Sequence, residues 1–289
     1  MSIKLDHVTY TYGTGTPFEK NALCETNIEI HEGEFVGIIG HTGSGKSTFV
    51  QLLNGLIHPT TGVVTVDGTD LSLKTKDAMA VRHKVGMVFQ YPEYQLFEET
   101  IAKDIAFGPR NFGLSEPEIE ERVREAMEFV GLDYKTYAER SPFRLSGGQM
   151  RRVAIAGVIA IHPSYLILDE PSAGLDPVGR REIFSEIQRW HQEKGITCIL
   201  VSHNMEDISR LATRLLVLSH GKVTLDGEPL HIFSTCQEKL REAGVSVPPV
   251  TAVLQYLQSR GVSVDDSVHS VQEGAASIFD WLRRNKHAH

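Results

Sequence analysis

A glycine-rich segment contains the residues best suited to chemistry on phosphate groups. It reads Gly40-His41-Thr42-Gly43-Ser44-Gly45-Lys46-Ser47 and fits the pattern G-x-x-x-x-G-K-[ST], known as a P-loop. Its glycines let backbone N–H groups approach phosphate oxygens, and the N-terminus of a following helix adds partial positive charge. Lys46 is suited to neutralise the β- and γ-phosphates of a nucleotide, and Ser47 to offer a hydroxyl to Mg²⁺. We therefore predict that this segment, extended to Thr48, binds a nucleoside triphosphate.

Two carboxylates stand at the end of a second, apolar segment, Tyr165-Leu166-Ile167-Leu168-Asp169-Glu170. Acidic residues at the end of a strand commonly mark only a solvated boundary, but a P-loop elsewhere in the chain changes their interpretation. Asp169 is suited to hold Mg²⁺ through water or through Ser47. Glu170 is suited to polarise the water that attacks the γ-phosphate. Together the two segments predict hydrolysis of a nucleoside triphosphate.

A third segment of small residues, Leu145-Ser146-Gly147-Gly148-Gln149, comes just before an apolar stretch. Backbone N–H groups at the start of a helix there would form a second anion site. The same residues also fit an ordinary serine N-cap followed by a flexible turn. Taken alone, the segment leaves both interpretations open.

The elements that must position these segments alternate between strand and helix. Short apolar runs predict strands, and an apolar residue at every third or fourth position predicts helices. The predicted strands are residues 3–10, 34–39, 63–66, 85–89, 165–168, 197–201 and 215–218, and the helices among them are 46–57 and 177–194. Such alternation implies a mostly parallel sheet.

The middle of the chain differs, because residues 101–161 carry helical spacing and little strand signal. Ser115 and Glu118 have the spacing of a capping box, and the apolar stripe that follows them is ended by Gly131. We therefore expect a helical insertion within an α/β core.

This pattern divides the chain into two expected parts. Residues 1–225 would form the α/β domain, with its helical subdomain at about 91–160. Residues 226–289 would form a small C-terminal subdomain containing amphipathic helices at 251–260 and 270–284.

Composition limits the classes of protein that fit. The 289 residues include 29 Lys and Arg and 37 Asp and Glu, so the formal net charge is −8. This balance argues against a general nucleic-acid binder, because neutralising phosphates needs clustered Lys and Arg, and no nucleic-acid partner is expected. The longest apolar run, residues 153–161, is far shorter than the roughly 20 residues that a membrane-spanning helix needs. No signal peptide is visible at the N-terminus.

Three cysteines, Cys24, Cys198 and Cys236, are odd in number and far apart in the chain. A disulfide framework is therefore not expected, and the pattern fits a reducing cytosol. The histidines show no zinc spacing with these cysteines, and we expect His287 and His289 to be solvated rather than metal ligands.

The order of the P-loop, the segment at residues 145–149 and the acidic strand resembles the ATP-binding cassette (ABC) family over about residues 1–225. The resemblance implies an α/β fold with a P-loop (RecA-like), mostly parallel sheet. It also implies a β-rich N-terminal part, an inserted helical subdomain and a small C-terminal helical subdomain. ATP and Mg²⁺ are the implied ligands, and the segment at 145–149 is the family's signature motif.

The resemblance also gives roles to residues outside these motifs. Tyr12 matches the aromatic residue that stacks on adenine, with Tyr10 as the alternative, and Gln90 matches the Q-loop residue that contacts Mg²⁺. His203 matches the switch histidine that contacts the γ-phosphate. Asp176 is retained in the D-loop, whose first two residues, Ala and Gly, replace the family's usual Ser and Ala.

Family members pair head to tail, with ATP between the P-loop of one chain and the signature of the other. One P-loop and one signature are present here, so the resemblance implies that the chain supplies half of each of two sites. It would then need a partner cassette.

The segment that follows Gln90, residues 91–100, is similar to the A components of energy-coupling factor transporters, which energise uptake of vitamins and metal ions. Residues 141–144 and 149–157 look like the second of the two A paralogues. The implied partners are the first A component in a heterodimer, a transmembrane T component that docks near residues 91–99, and a substrate-binding S component. Residues 226–289 fit the extra dimerising segment of that family, and the alternative is a tail that packs on its own core. The implied location is peripheral, at the cytoplasmic face of the cell membrane.

An apolar patch in the Q-loop, formed by Tyr94, Leu96 and Phe97, is the expected docking surface for the T component. The alternative is that these side chains, or one or two of them, pack into the core. Two other classes remain open, namely an ABC ATPase of another importer or of a non-transport process, and a P-loop kinase. A kinase would not explain residues 145–149 or His203.

Overall fold

A computed structural model describes residues 1–73, 75–268 and 270–285 of the chain. His287 and His289, for which we expect solvation, lie outside the described residues. Within the described ranges, no helix has the length and apolar character needed to cross a bilayer.

Strands make up most of the N-terminal third and recur through the centre of the molecule. Those of the described residues are β1 (Ser2–Tyr12), β2 (Lys20–His31), β3 (Phe35–Ile39), β4 (Thr61–Val66), β5 (Thr69–Asp70), β6 (Val85–Val88), β7 (Tyr165–Asp169), β8 (Thr197–Val201), β9 (Arg214–Ser219) and β10 (Lys222–Gly227).

Helices fill the middle and the C-terminal part of the chain. In the described ranges they are α1 (Lys46–Leu53), α2 (Lys76–Arg82), α3 (Ile101–Asn111), α4 (Glu116–Phe129), α5 (Tyr134–Tyr137), α6 (Gly147–Ile159), α7 (Pro177–Lys194), α8 (Met205–Leu211), α9 (Pro229–Thr235), α10 (Gln237–Glu242), α11 (Pro249–Ser259) and α12 (Val271–Asn285). Two short 3₁₀ helices are found at Pro92–Gln95 and Pro142–Arg144.

The strands form two sheets. The larger has the order β10-β9-β3-β8-β7-β6 and is parallel apart from β10, which runs antiparallel to β9. The smaller, β2-β1-β4-β5, is antiparallel. The expected parallel core and β-rich N-terminal part are confirmed. Because the carboxyl ends of parallel strands share one edge of a sheet, the segments that follow β3, β6, β7 and β8 meet there.

Both faces of the larger sheet are covered. On β3, Phe35 and Ile39 belong to the hydrophobic cluster shared with the middle helices. Val36 and Ile38, which point to the opposite face, belong to the cluster shared with α1 and the smaller sheet. Burial on both faces explains why this strand is a continuous apolar run rather than an alternating one.

The helical insertion is confirmed between β6 and β7. Helix α4 begins with the expected capping box, in which the Ser115 amide donates to Glu118 Oε2 at 2.9 Å. Its apolar stripe, which includes Ile119 and Val123, is buried against the neighbouring helices. Gly131, at positive φ, follows the end of the helix.

Helix α1 is shorter than the predicted 46–57, because it ends at Leu53. The amide of Leu56 bonds the side chain of Asn54 instead of continuing the helical pattern. Gly55 adopts a positive φ of 69°, a conformation that ends helices at little cost for glycine. The apolar residues beyond this point extended the predicted helix too far.

The C-terminal residues pack in two separate groups. Helices α9 and α10 place Phe233 and Leu240 in the main hydrophobic cluster, so this stretch is part of the core of the α/β domain. Helices α11 and α12 instead share a small cluster that includes Leu254 and Val264. Their bounds agree with the predicted helices to within two residues.

This division predicts different effects for two similar substitutions. Phe233→Ala empties a fully buried position and is expected to lower the free energy of unfolding by about 3–5 kcal/mol. The matched control, Phe279→Ala on α12, changes a mostly exposed side chain and is expected to alter it by less than about 1 kcal/mol. Denaturant unfolding of the two variants measures both values. A loss of less than about 1 kcal/mol for Phe233→Ala would show that α9 is not part of the core.

Candidate functional site

The P-loop connects β3 to α1 by passing close to two backbone carbonyl groups. A Cβ atom at Gly45 would lie 2.5 Å from the carbonyl oxygen of Ala22, and one at Gly40 would lie 2.2 Å from that of Leu218. Both distances are too short for a side chain. The motif's glycines therefore allow the loop to fit against neighbouring backbone as well as to present N–H groups to an anion.

Lys46 lies at the first position of α1 and is largely buried. Its Nζ donates to the carbonyl oxygens of Gly40 at 2.7 Å and His41 at 3.0 Å. Burial lowers the pKa of this lysine, while the nearby carboxylates of Glu170 and Asp169 act to raise it. The ammonium group is thus held inside the loop that precedes it, facing the two acidic residues.

Asp169 and Glu170 reach this place from the end of β7. Burial raises the pKa of the Asp169 carboxyl, and Lys46 and the Ser47 hydroxyl partly oppose that change. The pKa of Glu170 is raised further, to about 7, by burial and by the charge of Asp169. A carboxyl with a pKa near neutrality is well matched to general base chemistry.

The backbone at Glu170 turns sharply after the strand. Its φ is 51°, which is uncommon for a residue other than glycine, and its amide donates to the Val201 carbonyl oxygen at 3.1 Å. The Oε1 atom of Glu170 is buried and has no hydrogen-bond partner within the chain. Glu170 lines the cavity, and this carboxylate oxygen has unused capacity to accept a hydrogen bond.

His203 follows β8, the strand next to β7, and lies beside Glu170. Its Nε2 is 3.5 Å from Glu170 Oε1, and its backbone N–H acts to lower the pKa of the same carboxyl group. Burial, followed by the charge of Lys46, lowers the pKa of the histidine. The lowered pKa favours the neutral form of the His203 imidazole beside the Glu170 carboxylate.

One cavity of about 340 Å³ brings most of the predicted site residues together. The predicted residues that line it are Tyr12, Thr42, Gly43, Gly45, Lys46, Ser47, Thr48, Gln90, Asp169, Glu170 and His203. They come from segments far apart in sequence. The carboxyl edge of the parallel sheet brings together all of them except Tyr12, which lies at the end of β1 in the antiparallel sheet.

The two candidate aromatic residues differ in position. The Tyr12 hydroxyl lies 3.1 Å from Thr48 Oγ1, and its ring lines the cavity. Tyr10 packs edge-on against Tyr12, with ring centroids 4.8 Å apart, and adds to the neighbouring hydrophobic cluster. Of the two, Tyr12 has the surface available to a ligand.

Other predicted residues do not line this cavity. Gly40 and Ser44 belong to the P-loop but face its interior. The signature residues Ser146, Gly147, Gly148 and Gln149 begin α6, and Ser146 and Gln149 form a capping box there. Asp176, predicted as a ligand residue, caps α7 by accepting from the amides of Val178 and Gly179.

Among the residues that line the cavity, sequence reasoning missed Val201, the last residue of β8, and two residues of β2, Lys20 and Ala22. Lys20 is paired directly with Tyr12 in the antiparallel register of β1 and β2. No motif marks either residue of β2. Only the hairpin pairing, which brings β2 beside the P-loop, could have indicated them.

The oxygen-bearing side chains beside Lys46 fit the Mg²⁺ expected from the sequence. The Ser47 hydroxyl acts to lower the pKa of the Asp169 carboxyl, and Ser47, Asp169 and Gln90 line the same cavity. Hydroxyl, amide and carboxylate oxygens are the donors that Mg²⁺ prefers. Among the described residues there is no cluster of three or more His, Cys, Asp or Glu that could hold a metal ion.

Known proteins resemble this chain over its whole length. A family model described as ABC transporter matches residues 23–173. The energy-coupling factor transporter ATP-binding protein EcfA2 of Clostridium perfringens (strain 13 / Type A) is 52% identical over 285 residues, which cover 99% of this chain and 100% of that protein. The protein of the same name from Clostridium tetani (strain Massachusetts / E88) is 53% identical over 279 residues, 96% of each chain.

Solved structures agree with these relatives. CbiO1 of Clostridium perfringens, part of the ABC transporter complex cbiONQ, has a TM-score of 0.72 and 35% identity, covering 88% of this chain and 98% of its own. The ATP-binding cassette MJ0796, a dimer bound to ADP and Pi, has a TM-score of 0.71 and 31% identity, covering 78% of this chain and 98% of its own. The chain therefore belongs to the ABC transporter family and, within it, to the ATP-binding proteins of energy-coupling factor transporters.

Proposed function

We propose that this chain hydrolyses ATP to energise an energy-coupling factor importer of vitamins or other micronutrients, metal ions included. The observation that carries the proposal is the convergence of Lys46, Asp169, Glu170 and His203 on one cavity beside the P-loop. Full-length similarity to EcfA2 proteins supports the transporter type over another importer or a non-transport ATPase.

Each side chain has a task that its position supports. The P-loop N–H groups and Lys46 bind the β- and γ-phosphates of ATP. Glu170 polarises a water molecule and takes up its proton as the water oxygen bonds to the γ-phosphorus, and the bond from that phosphorus to the ADP oxygen breaks. His203 contacts the γ-phosphate. Mg²⁺ held by Ser47, Asp169 and Gln90 would neutralise phosphate charge when bound.

The signature segment takes part from outside the cavity. Ser146 and its neighbours begin α6, and they do not line the cavity formed by the P-loop of the same chain. We propose that they complete the ATP site of a partner cassette, the paralogous A component, and that Asp176 lies in the same interface. The dimeric state of the similar MJ0796 cassette supports this arrangement.

Helices α11 and α12 offer a surface for the same partner. Their small shared cluster leaves Val253 and Tyr256 of α11 and Phe279 and Leu282 of α12 exposed. Adjacent apolar side chains of this kind favour burial against another protein. We propose that residues 249–285 contribute to the heterodimer, while α9 and α10 stabilise the domain that carries the ATP site.

The apolar patch expected to dock the transmembrane T component is divided between the core and the surface. Leu96 is only 7% exposed and belongs to the core, whereas Tyr94 and Phe97 are 84% and 56% exposed. Phe97 packs edge-on against Phe107 with centroids 4.9 Å apart, at the margin of an open groove of about 450 Å³. We propose that Tyr94, Phe97 and Phe107 receive a helix of the T component.

In such a complex, other subunits would bind the transported substrate and attach this chain to the membrane. The substrate would be bound by an S component carried by the T component. This chain would lie at the cytoplasmic face of the membrane, attached through the T component rather than inserted itself.

Glu170→Gln tests the proposed base. The amide fills the same space but polarises water poorly, so phosphate release is expected to fall by about 10²–10⁴-fold while ATP binding is retained. Phosphate release and ATP binding by the purified complex measure the two effects, with the exposed Glu206→Gln as the control. Hydrolysis close to the wild-type rate would move the role of base to another group, His203 first.

Tyr94→Ser combined with Phe97→Ser tests the docking surface. Each buried aromatic side chain contributes about 1.5–3 kcal/mol, so the affinity for the T component is expected to fall about 100-fold or more. Membrane fractionation measures the loss, and ATP binding by the released cassette pair should be unchanged. Phe18→Ser, at an exposed phenylalanine in the β1–β2 loop, is the control. Undiminished membrane attachment of the double variant would place the docking surface elsewhere.

A further inference from the structure

Arg151, in the second turn of α6, is buried in a way that arginine side chains seldom are. It is only 3% exposed, although it lies five residues after Ser146 at the start of the signature helix. A buried guanidinium requires a well-placed partner, because its loss of hydration must be offset by hydrogen bonds and opposite charge. The residues that contact Arg151 therefore show which segments of the chain it holds together.

The first partner is in the Q-loop. Glu93, only 15% exposed, accepts from Arg151 Nε at 3.1 Å and from Nη2 at 2.8 Å, a two-point contact between guanidinium and carboxylate. Arg151 Cζ also lies 5.8 Å from the ring centroid of Tyr91. Tyr91 has a φ of 57°, so this part of the Q-loop is held in an uncommon backbone conformation next to the arginine.

The second contact is with the D-loop. A Cβ atom placed on Gly174 would lie 3.5 Å from Arg151 Nη1, so the D-loop backbone passes directly beside the guanidinium. One turn earlier on α6, a Cβ atom on Gly148 would lie 3.6 Å from Leu175 Cδ2. The signature helix therefore contacts the D-loop and the Q-loop through neighbouring positions.

We propose that Arg151 is a positioning residue that makes the Q-loop follow the signature helix. Separating Arg151 from Glu93 would leave a buried charge without its partner, which is strongly unfavourable. The two segments therefore move together. This inference rests on the proposed function, in which the signature contacts the partner's ATP and residues 91–99 contact the T component. When ATP binding at the partner's site moves the signature helix, Arg151 then moves the docking surface of this chain with it.

The pair also separates two roles within the Q-loop. Glu93 faces inward and is occupied by Arg151, whereas Tyr94 faces solvent. The inward residue fixes the position of the segment, and the outward residue is available to a partner. A displacement of α6 would thus move Glu93, and with it the next residue of the 3₁₀ helix, Tyr94.

Hydrogen exchange of the purified, membrane-extracted complex tests the proposal, with Mg²⁺ and ATP as the added ligand. In the wild type, ATP is expected to slow amide exchange by about fivefold or more in residues 40–48 and in residues 93–97. In Arg151→Gln and in Glu93→Gln, the effect on 40–48 should remain and that on 93–97 should fall below about twofold. Combining Arg151→Glu with Glu93→Arg should restore part of the response.

A control variant, Arg152→Gln, and a second test variant, Glu93→Gln, separate loss of the Arg151 contact from a general effect on folding. Arg152→Gln removes the neighbouring arginine, which pairs with Glu182 at 2.6 Å, and should leave the 93–97 response unchanged. If Arg151→Gln fails to fold, the less buried Glu93→Gln tests the same contact. An undiminished response of 93–97 in Glu93→Gln would overturn the inference. Absence of any protection of 40–48 in the wild type would instead contradict the proposed function.

Discussion

The position of one buried ammonium group against two carboxylates governs the arrangement of the site. Lys46 is held by the carbonyl oxygens of its own loop, and Asp169 and Glu170 approach it from the end of a neighbouring strand. The ammonium group and the two carboxyl groups are all poorly hydrated, so the charged form of each is stabilised by the opposite charge beside it. Binding of a triphosphate adds negative charge beside Lys46 and the N–H groups of the P-loop, which are the hydrogen-bond donors at this site.

The fold supplies that arrangement because parallel strands end at one edge. β3 and β7 flank β8 in the sheet, so the P-loop, the acidic pair and His203 emerge side by side. The antiparallel hairpin of β1 and β2 closes the cavity from another direction with Tyr12 and Lys20. The signature helix begins elsewhere, outside this cavity.

Sequence predicted the parts whose signal is local. The P-loop, the acidic strand end and the capping box of α4 depend on residue types at fixed spacing, and the structure places each as expected. Leu96 shows the limit, because an apolar residue in a loop looks the same whether it faces the core or solvent. Asp176 shows another, since its cap on α7 is seen only in the structure, and this cap neither supports nor excludes the ligand role expected for it. Lys20 and the Arg151–Glu93 pair depend on contacts between distant segments, which no local pattern records.

The most direct measurement is the number of ATP molecules bound by the assembled cassette pair when Lys46 is changed to Ala. If the buried ammonium group makes this cavity a triphosphate site, calorimetric titration of the Lys46→Ala complex should show one ATP fewer per pair than the wild type. The partner's P-loop should remain occupied. Unchanged stoichiometry and affinity would contradict the account, because the charge at its centre would then not be needed for binding.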